Sequence, residues 1–391
     1  MALSEGIYNN DTISSLSNQR LTFLDNLRVF LTVLVIAHHA GQAYGPTGGR
    51  WLIFNPERAD ILGAFFPVNA AFFMGLFFLI SGYFLPAAYN RKGAKAFLSD
   101  RCLRLGIPIL LFTLFVFPCV FYLVELQSVS FASFLWQYWR QGPLEFGHLW
   151  FLVHLLVYAV GYMVWRTRLS TWLKPQSKQQ KVAPPSHSLI TLYLIGLAIV
   201  TFMIRIWYPV DRWERLLGII PAEIAHLPQY LSLFIVGIVA YHHDWLRRMP
   251  TRWGLLWLGI GISAAVWRYG DVLGGRRVFA QPIFADGGWN WRSLAASFWE
   301  ATVCVGLCVG LLVWFREYLN TQGKVQRVLA KNAYAVYLIH LLVVVAVQFS
   351  IATVDIDPLL KFGIVTFIST PLCFLMSHYL RQFPLASRVR A

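Results

Sequence analysis

Residues 23–44 read FLDNLRVFLTVLVIAHHAGQAY. The stretch matches the roughly 20 apolar residues that a bilayer-crossing helix needs, yet it holds an arginine near one end and two histidines near the other. A charge inside a membrane is costly unless it is paired or lines a wet cavity, so Arg28 calls for an explanation. On an α-helix the eleven residues from Arg28 to His39 turn about 1100°, within about 20° of three full turns, and rise about 16 Å. Arg28 and His39 therefore share one face at different depths, whereas His38 points roughly 80° away. A snorkelling arginine at one interface and a satisfied histidine at the other account for the pair equally well at this point.

Working outward from this helix, apolar stretches of similar length recur, broken by Pro, Gly and charged loops. They predict helices at about 24–44, 61–85, 104–124, 148–168, 189–208, 226–243, 253–270, 294–316, 332–350 and 360–380. The composition agrees. Of 391 residues, 57% are AVILMFWYC and only 13% are charged, against about 25% charged in soluble domains. That excludes a disordered chain and argues against a soluble enzyme. The polar first 20 residues lack the apolar core of a signal peptide and read as a short tail. Five cysteines without CxxC spacing give neither a disulfide framework nor a zinc site.

The net charge of +15 is sorted rather than clustered. About two thirds of the Lys and Arg fall on one set of loops and the two termini, which the positive-inside rule assigns to the cytoplasm. They include Arg20, Arg91, Lys92, Lys95, Arg101, Arg104, Arg166, Arg168, Lys174, Lys178, Lys181, Arg388 and Arg390. No nucleic-acid partner is expected, because the excess is spread over short cytoplasmic segments. The fold class that follows is all-α: a polytopic integral membrane protein of about ten transmembrane helices with both termini cytoplasmic. Residues 1–22 are a polar tail, 23–381 the transmembrane domain and 382–391 a basic cytoplasmic tail.

Beyond the first helix, several motifs stand in order. FFLISGYFLPAAY (77–89) closes the second helix and Arg101-x2-Arg104 precedes the third. GHLWFL (147–152) opens the fourth and NAYAVYLIH (332–340) lies in the ninth. Together with Arg28-x10-His39, this series resembles the acyltransferase-3 family of membrane-bound O-acyltransferases, over the whole chain. The opening LDNLRVFLTVLVIAHHA is most like the glucan biosynthesis protein C branch.

The resemblance implies transfer of an acyl group, acetyl or succinyl foremost, from cytoplasmic acyl-CoA to a hydroxyl of a glycan or polysaccharide at the outer face of a bacterial inner membrane. Acyl-CoA is then the donor substrate and no metal is expected. The lipid bilayer and the glycan acceptor are the other partners, and a homodimer is compatible with the sequence. Arg28, Arg91, Arg101 and Arg104 are the expected CoA-binding residues, since guanidinium suits bidentate phosphate contacts. His39 is the expected general base, able to take the proton of an attacking hydroxyl; a covalent acyl-histidine relay is the alternative. Glu300 sits about two turns from the outer end of the eighth helix and is expected, from its depth, to pair with His39 or Arg28. His148 and Trp150 are expected at the outer mouth of the fourth helix, where Trp also serves as an interfacial anchor. His154 and His340 read as histidines hydrogen-bonded between helices, and Ser81-Gly82 as a close-packing site. The rival class is a secondary transporter or flippase, but the two halves of the chain lack the matching broken helices that such folds show.

Overall fold

The computed structural model describes residues 21–46, 51–124, 129–141, 144–169, 181–275 and 283–382. Arg20, Lys174, Lys178, Arg388 and Arg390 lie outside the described residues, as do nearly all of the two expected terminal tails. Every one of the ten expected segments is helical. Among the described residues eight helical stretches are long and apolar enough to cross a membrane, and one of them, Leu62–Val124, covers two of the expected spans. The chain folds as an all-α integral membrane protein.

Helix α1 is Thr22–Gly41, α2 Leu62–Ala70 and α3 Phe73–Arg101. Gly93 breaks the helical path of α3 with φ 73°, a left-handed value at which a Cβ would be strained. Helix α4 fills 102–124, its α turns interrupted by π turns at Cys102–Gly106 and Phe112–Val116. Then come α5 (Phe131–Gln141), α6 (Trp150–Val164) and α7 (His187–Arg205). A small antiparallel hairpin of β1 (Trp213–Leu216) and β2 (Ile220–Glu223) precedes α8 (Leu227–His243). The bundle closes with α9 (Thr251–Gly270), α10 (Trp291–Tyr318), α11 (Lys324–Ser350) and α12 (Pro358–Leu380).

Small residues set the closest crossings. A Cβ on Gly82 of α3 would collide with the Phe234 carbonyl of α8, and one on Gly237 of α8 with the Leu79 carbonyl of α3. Their backbones therefore touch, as the Ser81-Gly82 pair suggested. Helix α1 is the hub: it packs on α10, α11 and α12, with Leu24, Leu27, Leu31 and Ile36 fully buried.

One feature departs from a simple up-and-down bundle. Helix α5, too short to span, runs back along α4. Near its start, Phe131 and Phe134 pack on Tyr122. Near its end, the Tyr138 hydroxyl donates to the Thr113 carbonyl at 3.1 Å and the Trp139 indole to the Leu114 carbonyl at 3.0 Å. The chain thus descends to about the middle of 102–124 before α6 begins, and Gly147 packs there on Phe117. Such re-entrant backbone is tolerated at membrane depth where protein or a wet cavity surrounds it.

Candidate functional site

Arg28 and His39 do not share the cavity described below: Arg28 lines it and His39 does not. His39 turns toward α11, while His38 packs among Phe65, Phe66 and Phe73. His39 Nδ1 lies 2.9 Å from the Val35 carbonyl, one turn back, and 3.1 Å from Nε2 of His340. His340 is fully buried, and its Nδ1 donates to the Tyr337 carbonyl at 2.6 Å. His39 also stacks on the indole of Trp51, ring centroids 5.6 Å apart. That indole donates to Gln348 Oε1 at 2.8 Å, and the Gln348 amide in turn donates to the carbonyls of His39 and Ala40 at 3.2 and 3.0 Å. Gln348, fully buried on α11, therefore helps satisfy two carbonyls in the last turn of α1, where the His39 carbonyl also accepts the Gln42 amide at 3.3 Å.

His148 is not at an outer mouth. Because the chain re-enters along α4, His148 arrives in the bundle interior, 5% exposed, between Phe112, Phe117 and α11. Its Nε2 donates to the Leu338 carbonyl at 3.1 Å, and its ring stands 4.7 Å from that of His340 in a T arrangement. The Tyr337 hydroxyl donates to the His148 carbonyl. Trp150, half-buried two residues further on, packs on Tyr230, His154 and Trp213. His154 is hydrogen-bonded, but to the hairpin rather than to another helix: its Nε2 bonds the Pro221 carbonyl of β2 at 2.8 Å, and its Nδ1 lies 3.2 Å from the Tyr158 hydroxyl on its own helix.

Below this histidine group lies a cavity of about 340 Å³. Arg28, Arg91, Arg101 and Arg104 all line it, so the four expected phosphate-binding residues share one space. Its middle wall is apolar, with Phe77, Ile80, Phe151 and Leu155, and Tyr337 belongs both to this wall and to the histidine group. At the basic end Asp100 accepts Lys92 at 2.7 Å and Arg104 Nε at 2.9 Å. The Tyr334 hydroxyl donates to the Arg104 carbonyl.

The expected pairing of Glu300 with His39 or Arg28 is corrected. Glu300 Oε2 takes Arg205 Nη2 at 2.6 Å, and its Oε1 lies 3.3 Å from His226 Nε2. His226 Nδ1 lies 3.0 Å from Glu223 Oε2, and Glu223 Oε1 accepts the Asp211 amide at 2.8 Å. Burial alone pushes the Glu223 carboxyl up, but His226 and Arg205 outweigh it and hold the group below the usual carboxylate range. Position along one helix does not say which helix stands opposite, and that is where the pairing expected for Glu300 failed. Arg205, within the expected helix at 189–208, is 1% exposed at the end of α7. This network ties α7, α8, α10 and the hairpin together.

His340 is bonded between helices as expected, with His39 as its partner; residues missed at the sequence level are Tyr337, Gln348 and Trp51 around His39, and Arg205 and His226 around Glu300. Tyr334, Tyr337 and His340 recur at helical spacing within NAYAVYLIH, a signal that identifies the α11 face. Nothing in the local sequence of Trp51 marks it.

With this geometry, the comparisons with known proteins fall into place. The family model described as "Acyltransferase domain" matches residues 21–378. Similar curated proteins include the glucans biosynthesis protein C of Salmonella paratyphi B (strain ATCC BAA-1250 / SPB7) and that of Salmonella enteritidis PT4 (strain P125109). Each is 28% identical over 252 residues, 61% of this chain and 63% of the relative. The chain thus covers less than two thirds of those relatives' length. No solved structure matches. The family match takes in α1 with its Arg28/His39 face, the basic cavity and α11 alike, and the chain belongs to the acyltransferase-3 family of membrane acyltransferases.

Proposed function

We propose that this acyltransferase takes its acyl group from cytoplasmic acyl-CoA, acetyl or succinyl foremost, and delivers it to a hydroxyl of a glycan at the outer face of a bacterial inner membrane. The observation that carries the reading is one cavity lined by Arg28, Arg91, Arg101, Arg104 and Tyr337, the last of which also touches His340 of the histidine group around His39. Arg91, Arg101 and Arg104 would hold the CoA phosphates, where a fixed guanidinium fork outperforms an ammonium. Arg28, set deeper, would meet the pyrophosphate or the start of the pantetheine arm. The apolar wall suits that arm, and the rise of about 16 Å from Arg28 to His39 is comparable to its extended length.

His39 would act as general base. It takes the hydroxyl proton as the oxygen attacks the thioester carbonyl carbon; the C–S bond breaks, and the departing thiolate takes the proton back from the imidazole. The products are the ester and free CoA thiol, with no net proton and no metal required. Trp150, half-buried beside Trp213 of the hairpin, would face the acceptor. The relatives named for glucan biosynthesis suggest a glucan as acceptor.

The test is turnover in native membrane vesicles supplied with acetyl-CoA or succinyl-CoA, read as thiol release together with ester on the envelope glycan. His39→Ala is expected to abolish both while CoA binding persists. Undiminished turnover in that variant would remove His39 from the chemistry.

A further inference from the structure

We propose that His340 is a positioning residue for His39. It accepts one N–H···N hydrogen bond from His39 Nδ1, so that Nε2 is the nitrogen presented to the acceptor hydroxyl. The proposal rests on the assignment of His39 as the base, but its geometry stands without it.

The argument is one of donors and acceptors. A backbone carbonyl only accepts, so the 2.6 Å contact from His340 Nδ1 to the Tyr337 carbonyl places a hydrogen on that nitrogen. A neutral imidazole carries one hydrogen, and His340 Nε2 is then left with its lone pair. His39 Nδ1 faces this lone pair at 3.1 Å and the Val35 carbonyl at 2.9 Å. Both neighbours are acceptors, so the hydrogen of His39 sits on Nδ1, shared between them, and its lone pair sits on Nε2. Tautomers follow from the partners, as is general for histidine.

The consequence is chemical. When His39 Nε2 takes the acceptor's proton, the ring becomes an imidazolium whose Nδ1–H is held by two acceptors. In a Ser-His-Asp triad that place belongs to a carboxylate. Among the described residues no Asp or Glu oxygen bonds either ring; the oxygens of Glu300 are engaged by Arg205 and His226. A second imidazole takes the carboxylate's place here. His148 braces it from the other side: its own Nε2 is committed to Leu338, and its ring is set edge-on against that of His340. His340 is thereby locked at both nitrogens, so it cannot turn away from His39.

The experiment is NMR of the full-length protein, labelled with 15N-histidine and held in lipid nanodiscs, with His39 signals assigned by their loss in His39→Gln. The expected result is a protonated Nδ1 and unprotonated Nε2 on His39, with a through-bond coupling from His39 Nδ1 to His340 Nε2. His340→Ala should remove the coupling and lower kcat for thiol release from acetyl-CoA in native vesicles by on the order of 10-fold or more, with KM for acetyl-CoA unchanged. His340→Gln, whose amide oxygen can accept at the Nε2 position, should recover most of that loss. A hydrogen on His39 Nε2, no coupling in the wild-type protein, or a kcat indifferent to His340→Ala would overturn the proposal. The NMR result needs no turnover, so failure of the acyl-CoA reading would appear separately as vesicles inert in every variant.

Discussion

Glu300 on α10 and Arg205 at the end of α7 meet at 2.6 Å inside the bundle, 95 residues apart in sequence. Breaking a buried ion pair from one side leaves an uncompensated charge and costs about 3–5 kcal/mol, whereas replacing both partners by apolar groups is often tolerated. Arg205→Ala is therefore expected to lower the thermal midpoint of detergent-solubilised protein sharply. The double variant Arg205→Met/Glu300→Leu should lie closer to wild type than either single change. Equal losses in all three proteins would mean that the pair does not act as a unit.

The cavity mouth makes an opposite pair of predictions. If Arg101 holds a CoA phosphate as proposed, Arg101→Ala is expected to weaken binding of CoA itself by about 10-fold or more, the loss of one charge-assisted hydrogen bond. Asp100→Asn releases Lys92 and Arg104, which it now neutralises, and should tighten CoA binding. Calorimetric titration of CoA into the purified protein checks both. Weaker binding on Asp100→Asn would place the CoA phosphates elsewhere.

Gln348 pins both Trp51 and the last carbonyls of α1. Gln348→Ala is expected to free the indole from the face of His39, seen as a red shift of Trp51 emission in a variant with the other tryptophans replaced. It should also slow thiol release several-fold without changing CoA affinity. An unmoved spectrum would show that stacking on His39 alone holds the indole.

The hairpin gives a pH prediction. Glu223 titrates below its ordinary range because His226 and Arg205 favour its charged form over the opposing effect of burial. A carboxylate with a lowered folded value contributes stability that is fully present above its unfolded value, about 4.3, and is lost as pH falls through the folded one. Hydrogen exchange of 213–223 should therefore be unchanged between pH 7 and 5, after correction for intrinsic rates, and rise only in more acid solution. Loosening already between pH 7 and 5 would implicate a different group.

Bilayer physics makes buried charge conspicuous, so Arg28 and His39 stood out by their eleven-residue spacing, but that spacing suited a snorkelling arginine equally well; the roles expected of them and of the arginines of 91–104 came from the family resemblance. The structure brings all four expected arginines to one cavity. Periodicity fixes depth and face on a single helix but says nothing about which helix stands opposite. Glu300 was therefore placed at a plausible depth beside the wrong partners. The re-entrant path of 129–147 was illegible for another reason: an 11-residue helix is too short for the apolar-length signal, and its tertiary contacts with Thr113 and Leu114 decide its direction. That path turned His148 from a rim residue into a neighbour of His340. His340 itself was read as a packing histidine, because an acceptor role depends on a proton whose position only the surrounding carbonyls define.

If acyl-CoA passes through the arginine-lined cavity toward His39, a cryo-EM map of the protein in nanodiscs with a non-hydrolysable acetyl-CoA analogue at saturating concentration will show it there. Phosphate density is expected against Arg91, Arg101 and Arg104, the pantetheine arm along Phe77 and Phe151, and the acyl carbon beyond Tyr337 within reach of His39. An analogue bound outside this cavity, or one whose acyl end points away from the histidines, would contradict it.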